Sequence, residues 1–503
     1  MFDRSSGILM HISSLPGEYG IGDFGKGAYE FVDFLEKSGQ KLWQILPLGP
    51  TGFGDSPYQC YSAFAGNFLF IDPTELAEKN YISFEELEGL KNDNNKGKVD
   101  YSGVHIKKET ILRKAFDVFS KRVKEDGELK SKFEKFESEN SFWLENYALY
   151  MALKIKFSGI PWNRWPKDYR RRDIKKIELN EKDKENFNYF KFVQFIFYTQ
   201  WYRLKDYANS KGIKIIGDIP IFVATDSADT WEYSNLFQFT KSKRVKKVAG
   251  CPPDYFSKTG QLWGNVLYNW RELEKTGYRW WIERIRFSFN IYDIVRIDHF
   301  RGFEAYWSIR AGKKTAIKGK WEKGPGMKLF RAIEKELGEL PIIVEDLGFL
   351  TPQVERLLRR SGYPGMRILQ FAFGDDENKY LPHKYIENCV AYSGTHDNDT
   401  IVGWYESLDS GTKYRCDEYL KQWLTPRGRN FWDPINWRVI ETLWSSVANM
   451  VLVQMQDLLG LESDARMNTP ATVGENWRWR MDESALTDDT AARLREVTKS
   501  FNR

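Results

Sequence analysis

Four positions in this sequence share one local pattern, in which an acidic residue closely follows a short apolar run. Asp218 follows KIIG, Asp298 follows IVRI, Glu345 and Asp346 follow IIV, and Asp397 follows SGTH. One acid in such a place is usually a helix cap or a surface turn. Several gathered on one rim are different, because like charges in a half-buried cleft repel one another and are costly to keep. Such strain persists where it is used, in general acid–base or nucleophilic catalysis. Displacement at a glycosidic centre needs this equipment. One protonated carboxyl donates to the leaving oxygen, and one ionised carboxylate faces the anomeric carbon.

Local context separates the roles. Asp298 lies two residues after Arg296, so strand alternation points both side chains the same way. The guanidinium is expected to hold Asp298 ionised, as a nucleophile requires. Glu345 follows three apolar residues, surroundings that favour the protonated form of a general acid. His396 and Asp397, in SGTHDND, pair a donor with a carboxylate and suit sugar hydroxyls. The competing reading makes Arg296 and Asp298 a structural ion pair and nothing more.

The elements that position these residues are eight apolar runs: Ile8–Ile12, Leu42–Leu46, Ile213–Ile219, Ile294–Asp298, Ile342–Glu345, Arg367–Ala372, Val390–Thr395 and Met450–Met455. Runs of this length read as strands buried on both faces, as in a parallel sheet. Amphipathic helical stretches alternate with several of them. The layout predicts a (β/α)8 TIM barrel, whose active site lies at the C-terminal ends of its strands. Spacing along the chain is uneven. Residues 70–190 are expected to form an inserted, mainly helical subdomain, since the stretch is too long for a loop. Its helical segments are Phe84–Asn94, Lys107–Glu137 and Trp143–Phe157, with Phe192–Ala208 leading into the third strand. Residues 222–290 form a second insertion, with a lid-like loop at 250–269. The chain ends soon after the eighth strand, so no separate C-terminal β-sandwich is expected, and the whole is read as one catalytic domain.

Composition excludes several function classes. The net charge is +5 over 503 residues, and acids are interspersed among the bases, which argues against nucleic acid as a partner. The most basic stretch, KSKRVKK at 241–247, reads as an exposed loop. Four scattered cysteines and five histidines form no zinc pattern, and no phosphate-binding glycine motif occurs. No cofactor is implied. The opening apolar run is too short for a secretory signal, and nothing approaches a membrane span, so a cytoplasmic setting with free thiols is expected. Nineteen tryptophans, in a chain 16% aromatic, suit core packing first and sugar binding second.

Longer segments carry a resemblance. GDIPIFVATDSADTW (Gly217–Trp231), DIVRIDHFRGFEAYW (Asp293–Trp307), PIIVEDLG (Pro341–Gly348) and YSGTHDNDT (Tyr392–Thr400) look like the four signature regions of the α-amylase superfamily. Within it, they and the segments GILMHISSLPGEYGIGDFG, GPTGFGDSPYQCYSAFAGN and CPPDYFSKTGQLWGNVLYNW resemble the 4-α-glucanotransferases of glycoside hydrolase family seventy-seven. By position, the resemblance implies Asp298 as nucleophile, Glu345 as acid/base and Asp397 as the stabiliser of an oxocarbenium-like transition state. Arg296, His396 and Asp218 would support them. Val223 stands where many α-amylases carry His, a departure that favours transfer over hydrolysis. In the lid-like loop, Tyr255, Trp263 and Asn265 are candidate sugar contacts, and Ser56 and Tyr58 are further candidates. The implied partners are malto-oligosaccharides and starch- or glycogen-type glucans, with no membrane, for a monomer or homodimer. Two rivals stay open here: a hydrolase with the same carboxylates, and a non-catalytic glucan-binding scaffold.

Overall fold

Each of the eight apolar runs overlaps a strand of one parallel sheet in the computed structural model, which describes residues 2–91, 97–253, 257–374 and 378–503. The strands are β1 (Ser5–Leu9), β2 (Leu42–Gln44), β3 (Lys214–Ile219), β4 (Ile294–Ile297), β5 (Ile342–Val344), β6 (Gly365–Ile368), β7 (Cys389–Tyr392) and β8 (Met450–Gln454). Parallel ladders join β6, β7, β8, β1, β2, β3, β4 and β5 in that order. The seam between β5 and β6 is held differently. Val344 N–H donates to the Pro364 carbonyl at 3.1 Å, and Met366 N–H donates to Asp346 Oδ1 at 2.6 Å. A Cβ on Gly365 would lie 2.6 Å from the Asp346 carboxyl carbon, so this close approach requires glycine. The result is a nearly closed (β/α)8 barrel.

Alternation along the strands sorts side chains into two layers. Leu42, Ile216, Ile294, Ile343, Ile368, Tyr392 and Leu452, from seven different strands, form one buried cluster that only the barrel interior can bring together. Their neighbours Ile215, Val295, Ile342, Ala391 and Val451 join the larger core beneath the helices. Two residues beyond Ile216, Ile294 and Ile343 stand Asp218, Arg296 and Glu345. The polar layer of the mouth therefore sits directly above an apolar plug.

The helices of the ring include Lys26–Lys37, Arg279–Ile291, Met327–Leu337, Pro352–Ser361 and Ile435–Trp444. Between β6 and β7 the described residues form only short 3-10 turns, so strict alternation lapses there. Between β2 and β3 the chain is helical, with Tyr101–Glu125, Gly127–Glu139 and Leu144–Lys156 as its main members. The expected single stretch Lys107–Glu137 breaks at Asp126, whose Oδ1 caps the second helix through Glu128 and Leu129 N–H at 3.0 Å. The helix entering β3 is longer than expected, Glu181–Ser210, because Asn180 and Asp183 form a reciprocal capping box at its start. After β8 the described residues form helices and turns, with no β-sandwich.

One element was not foreseen. Gln261–Val266, Lys247–Cys251, Ala305–Arg310 and Gly319–Lys323 pair in that order as a four-stranded antiparallel sheet. Half of it comes from the β4–β5 connection, beyond residue 290, and much of the expected loop at 250–269 is strand. Its runs are half polar and interrupted by glycine, so periodicity alone hid them. No helix among the described residues is long and apolar enough to cross a membrane.

Candidate active site

The acids of the mouth stand at strand ends whose backbones remain in the barrel ladder. Asp298 N–H donates to the Ile219 carbonyl at 3.0 Å, and Glu345 N–H donates to the Ile297 carbonyl at 2.9 Å. This fixes both carboxyls on neighbouring strands. Arg296, 3% exposed, lies between two of the acids. Its Nη1 is 2.5 Å from Asp218 Oδ2 and 3.2 Å from Asp298 Oδ1. The i, i+2 geometry expected from the sequence is present.

From Asp218 the contacts continue across the mouth. Tyr58 donates its hydroxyl to Asp218 Oδ2 at 2.7 Å, and its ring stacks on His396 with centroids 5.1 Å apart. His396 Nε2 lies 3.6 Å from Asp397 Oδ1. Trp477 packs against both rings, 5.9 Å from Tyr58 and 5.7 Å from His396. One continuous set of contacts thus links Asp298, Arg296, Asp218, Tyr58, His396 and Asp397.

Glu345 joins through the backbone. His299 N–H donates to its Oε2 at 2.8 Å and Leu347 N–H to its Oε1 at 2.6 Å. His299 holds a left-handed conformation, φ 52°, which is costly for a residue with a Cβ. The strain directs the amide next to Asp298 at the Glu345 carboxylate. Trp477 is similarly left-handed, φ 67°. Backbone strain of this kind clusters where a site needs fixed geometry.

The electrostatics follow from burial. Desolvation raises Asp298 well above the usual carboxylate range against the pull of Arg296, and the charges of Asp218, Glu345 and Asp397 raise it further. The pull of Arg296 towards the ionised form, expected from the sequence, is present but is opposed by burial and by the neighbouring carboxylates. Glu345 is also raised, by burial first, opposed by Arg296 and by its two backbone donors. His396 is lowered by burial, which leaves it neutral near pH 7. His11 and His299 are pushed down to about 3 by burial, and His11 further by His396.

The remaining sequence candidates divide. Asp397 is half exposed, and Asn468 Nδ2 donates to its Oδ1 at 2.6 Å while Arg466 donates to its backbone carbonyl at 2.6 Å. Ser56 lies at the turn before Tyr58, its Oγ accepting Tyr58 N–H at 3.3 Å, so it shapes the loop. Asn265 is buried, and its Oδ1 accepts from Gln59 Nε2 at 2.8 Å. Gln59 also donates to the Trp263 carbonyl at 3.2 Å. The Trp263 ring meets His299 edge-on at 4.7 Å, which brings the hairpin to the mouth. Tyr255 lies outside the described residues. Val223 is buried. Asp346, at the same strand end as Glu345, faces the β5–β6 seam instead of the mouth.

Sequence reasoning missed His299, Gln59 and Asn468. His299 had a local signal, its place directly after Asp298. Gln59 had only its place directly after Tyr58, and the partners of both Gln59 and Asn468 lie far away in sequence. Among the described residues no group of three His, Cys, Asp or Glu side chains is placed to hold a metal ion. Two carboxyls on adjacent strands, one beside a guanidinium and one held by amides, can run nucleophilic and acid–base chemistry at one centre.

Comparison with known proteins agrees with this geometry. A family model described as 4-alpha-glucanotransferase matches residues 10–487. The 4-alpha-glucanotransferase of Clostridium butyricum is 51% identical over 98% of this chain and 100% of its own. That of Streptococcus pneumoniae serotype 4 is 49% identical over 100% of this chain and 98% of its own. Among solved structures, an amylomaltase from Streptococcus agalactiae in complex with acarbose superposes with a TM-score of 0.94, at 43% identity and 99% coverage of both chains. The chain therefore belongs to the 4-alpha-glucanotransferase family, glycoside hydrolase family 77.

Proposed function

We propose that this enzyme moves a segment of an α-1,4-glucan from a donor to the 4-hydroxyl of an acceptor glucose or glucan, by a retaining double displacement. In the first step an Asp298 carboxylate oxygen attacks the anomeric carbon. The glycosidic C–O bond breaks, and Glu345 gives its proton to the leaving oxygen. In the second step the Glu345 carboxylate takes the proton of the acceptor 4-hydroxyl. The acceptor oxygen attacks the same carbon, and the Asp298 carboxylate departs. Asp397 holds ring hydroxyls and stabilises the oxocarbenium-like transition state. Arg296, Asp218, Tyr58 and His396 orient the three acids, with Asn468 bracing Asp397.

The observation that carries this reading is the hydrogen bond from His299 N–H to Glu345 at 2.8 Å. It sets the carboxyl of Glu345 beside the residue that follows Asp298, so both acids serve one opening. A pure glucan binder has no need for this strained arrangement, which disfavours the scaffold reading.

Transfer rather than hydrolysis requires a held acceptor and a dry site, since water vastly outnumbers any sugar. The hairpin around Trp263, tied by Gln59 and resting on His299, supports that role, with Trp263 contacting the acceptor. Asn265 braces the hairpin, and Tyr255 on the same connection is a further contact. Buried Val223 fits transfer as well. The substrates are malto-oligosaccharides and longer α-glucans in the cytoplasm.

Maltotriose separates transfer from hydrolysis. Transfer yields glucose and a ladder of longer chains at constant total reducing ends. A rise in reducing ends equal to the substrate consumed would make the enzyme a hydrolase.

A further inference from the structure

The basic run at 241–247 takes no part in the barrel mouth. Together with residues 268–271 and the ends of two strands of the antiparallel sheet, it lines a cleft of about 660 Å³. That volume lies in the ordinary range for small-molecule sites, ~300–1,000 Å³. Every charged residue lining it is a cation: Lys241, Lys243, Lys246, Lys247, Arg271 and Lys323. Among the described residues no carboxylate lines it. The nearby Glu322 is engaged by Lys247 at 2.6 Å and by Lys320 at 3.5 Å.

The other cations have no ion pair among the described residues. Lys243 is hydrogen-bonded to the Ser234 hydroxyl, and burial and then the charge of Arg171 lower its pKa. Lys241, Lys246, Arg271 and Lys323 have no ion pair among the described residues. Overall composition does not explain an all-cation lining, since the chain carries 75 basic and 70 acidic residues. A concave wall of one sign raises the local concentration of the opposite charge.

The cleft is also more than a charged surface. Its lining includes the half-buried indole of Trp270, whose buried Nε1 has no hydrogen-bond partner among the described residues, and the polar side chains of Asn235, Gln238, Thr240 and Asn269. Buried Phe237, Tyr268 and Tyr306 make the floor rigid. Lysine ammoniums suit phosphate oxygens, an indole face suits a flat ring, and amides suit hydroxyls or ring nitrogens.

We propose that this cleft binds a phosphate monoester carried on a flat-faced ring, with the phosphate on Lys243 and Lys246 and the ring against Trp270. Sugar phosphates and nucleoside monophosphates share that chemistry. The test is calorimetric titration of the full-length enzyme at ~50 mM salt, where exposed charges are least screened. The probes are glucose 6-phosphate, AMP, inorganic phosphate and unphosphorylated glucose. One or both esters should bind at one site, more tightly than inorganic phosphate, and more weakly as salt rises. The tighter ester identifies the natural class. The exposed pair Lys246→Glu/Arg271→Glu should weaken ester binding ~10-fold or more while leaving maltotriose turnover unchanged. Lys243→Ala should weaken it similarly, and the exposed pair decides the matter if that variant fails to fold. Trp270→Ala should weaken the esters and spare inorganic phosphate. Absence of ester binding at about 10 mM, or binding unchanged in the charge-reversed pair, overturns the site. Inorganic phosphate binding as tightly as the esters overturns the ring contact.

Discussion

The carboxylates of the barrel mouth and the lysines of the cleft at 241–247 are both crowded like charges, yet the molecule treats them in opposite ways. The acids are drawn inward around their own counterion: Arg296, 3% exposed, touches both Asp218 and Asp298. Most of the cations stand exposed, and among the described residues only Lys247 of the lining has a protein carboxylate. Burial shifts protonation and stores strain, which is useful for chemistry on a bound substrate. Openness keeps charge available to a ligand from solution. The contrast teaches that charge crowding alone does not define a site. What matters is whether the protein has already supplied the counter-charge.

The largest effect separating the two regions is expected at Asp298. Asp298→Asn should lower maltotriose disproportionation by ~10⁴-fold or more, the scale seen when a nucleophile is removed. Maltotriose affinity should stay within ~10-fold, about 1.4 kcal/mol. Substantial turnover in a clean preparation of this variant would remove Asp298 from the nucleophile role.

Next comes the counterion. Arg296→Met leaves buried Asp218 and half-buried Asp298 without their counterion, at a cost of ~3 kcal/mol in denaturant unfolding near pH 7. The penalty should shrink on acidification, because protonating Asp298 removes the repulsion. A loss below ~1 kcal/mol would show the mouth to be wetter than its burial implies.

A smaller effect concerns pH. Asp298 is raised by burial, so it holds its proton to a higher pH than an ordinary carboxylate, and the nucleophilic form is lost earlier as pH falls. The acid limb of kcat/KM should therefore lie clearly above ~3.9, the ordinary Asp value. A limb at or below that value would mean that Arg296 outweighs burial after all.

The smallest effect is expected in the open cleft. Lys246→Glu should change unfolding stability by no more than ~0.5 kcal/mol, as is usual for an exposed position. A marked gain or loss would show that Lys246 already has a partner, and the comparison between the two regions would fail.

Much of the mouth was legible because its key relations are local. Arg296 and Asp298 are two residues apart at one strand end, and Glu345 follows an apolar run that reads as a buried strand. The eight runs overlap β1 to β8 because strands covered on both faces read as continuous apolar segments. The antiparallel sheet was not legible, since its strands are half polar and come from two different connections. Asp346 read like a rim acid and proved to be a seam residue, accepting Met366 N–H at 2.6 Å. Local sequence cannot separate those two fates, because both begin with an acid at a strand end.

By itself, then, the sequence determined the count of barrel strands and the placing of acids at their ends. Tertiary structure alone decided which distant groups complete them. Tyr58 reaches Asp218, Gln59 braces Asn265, Asn468 holds Asp397, and an amide strained into the left-handed region meets Glu345. Periodicity reports only which face of an element is covered, whereas these partners are set by how loops dock across the barrel end once the core has closed.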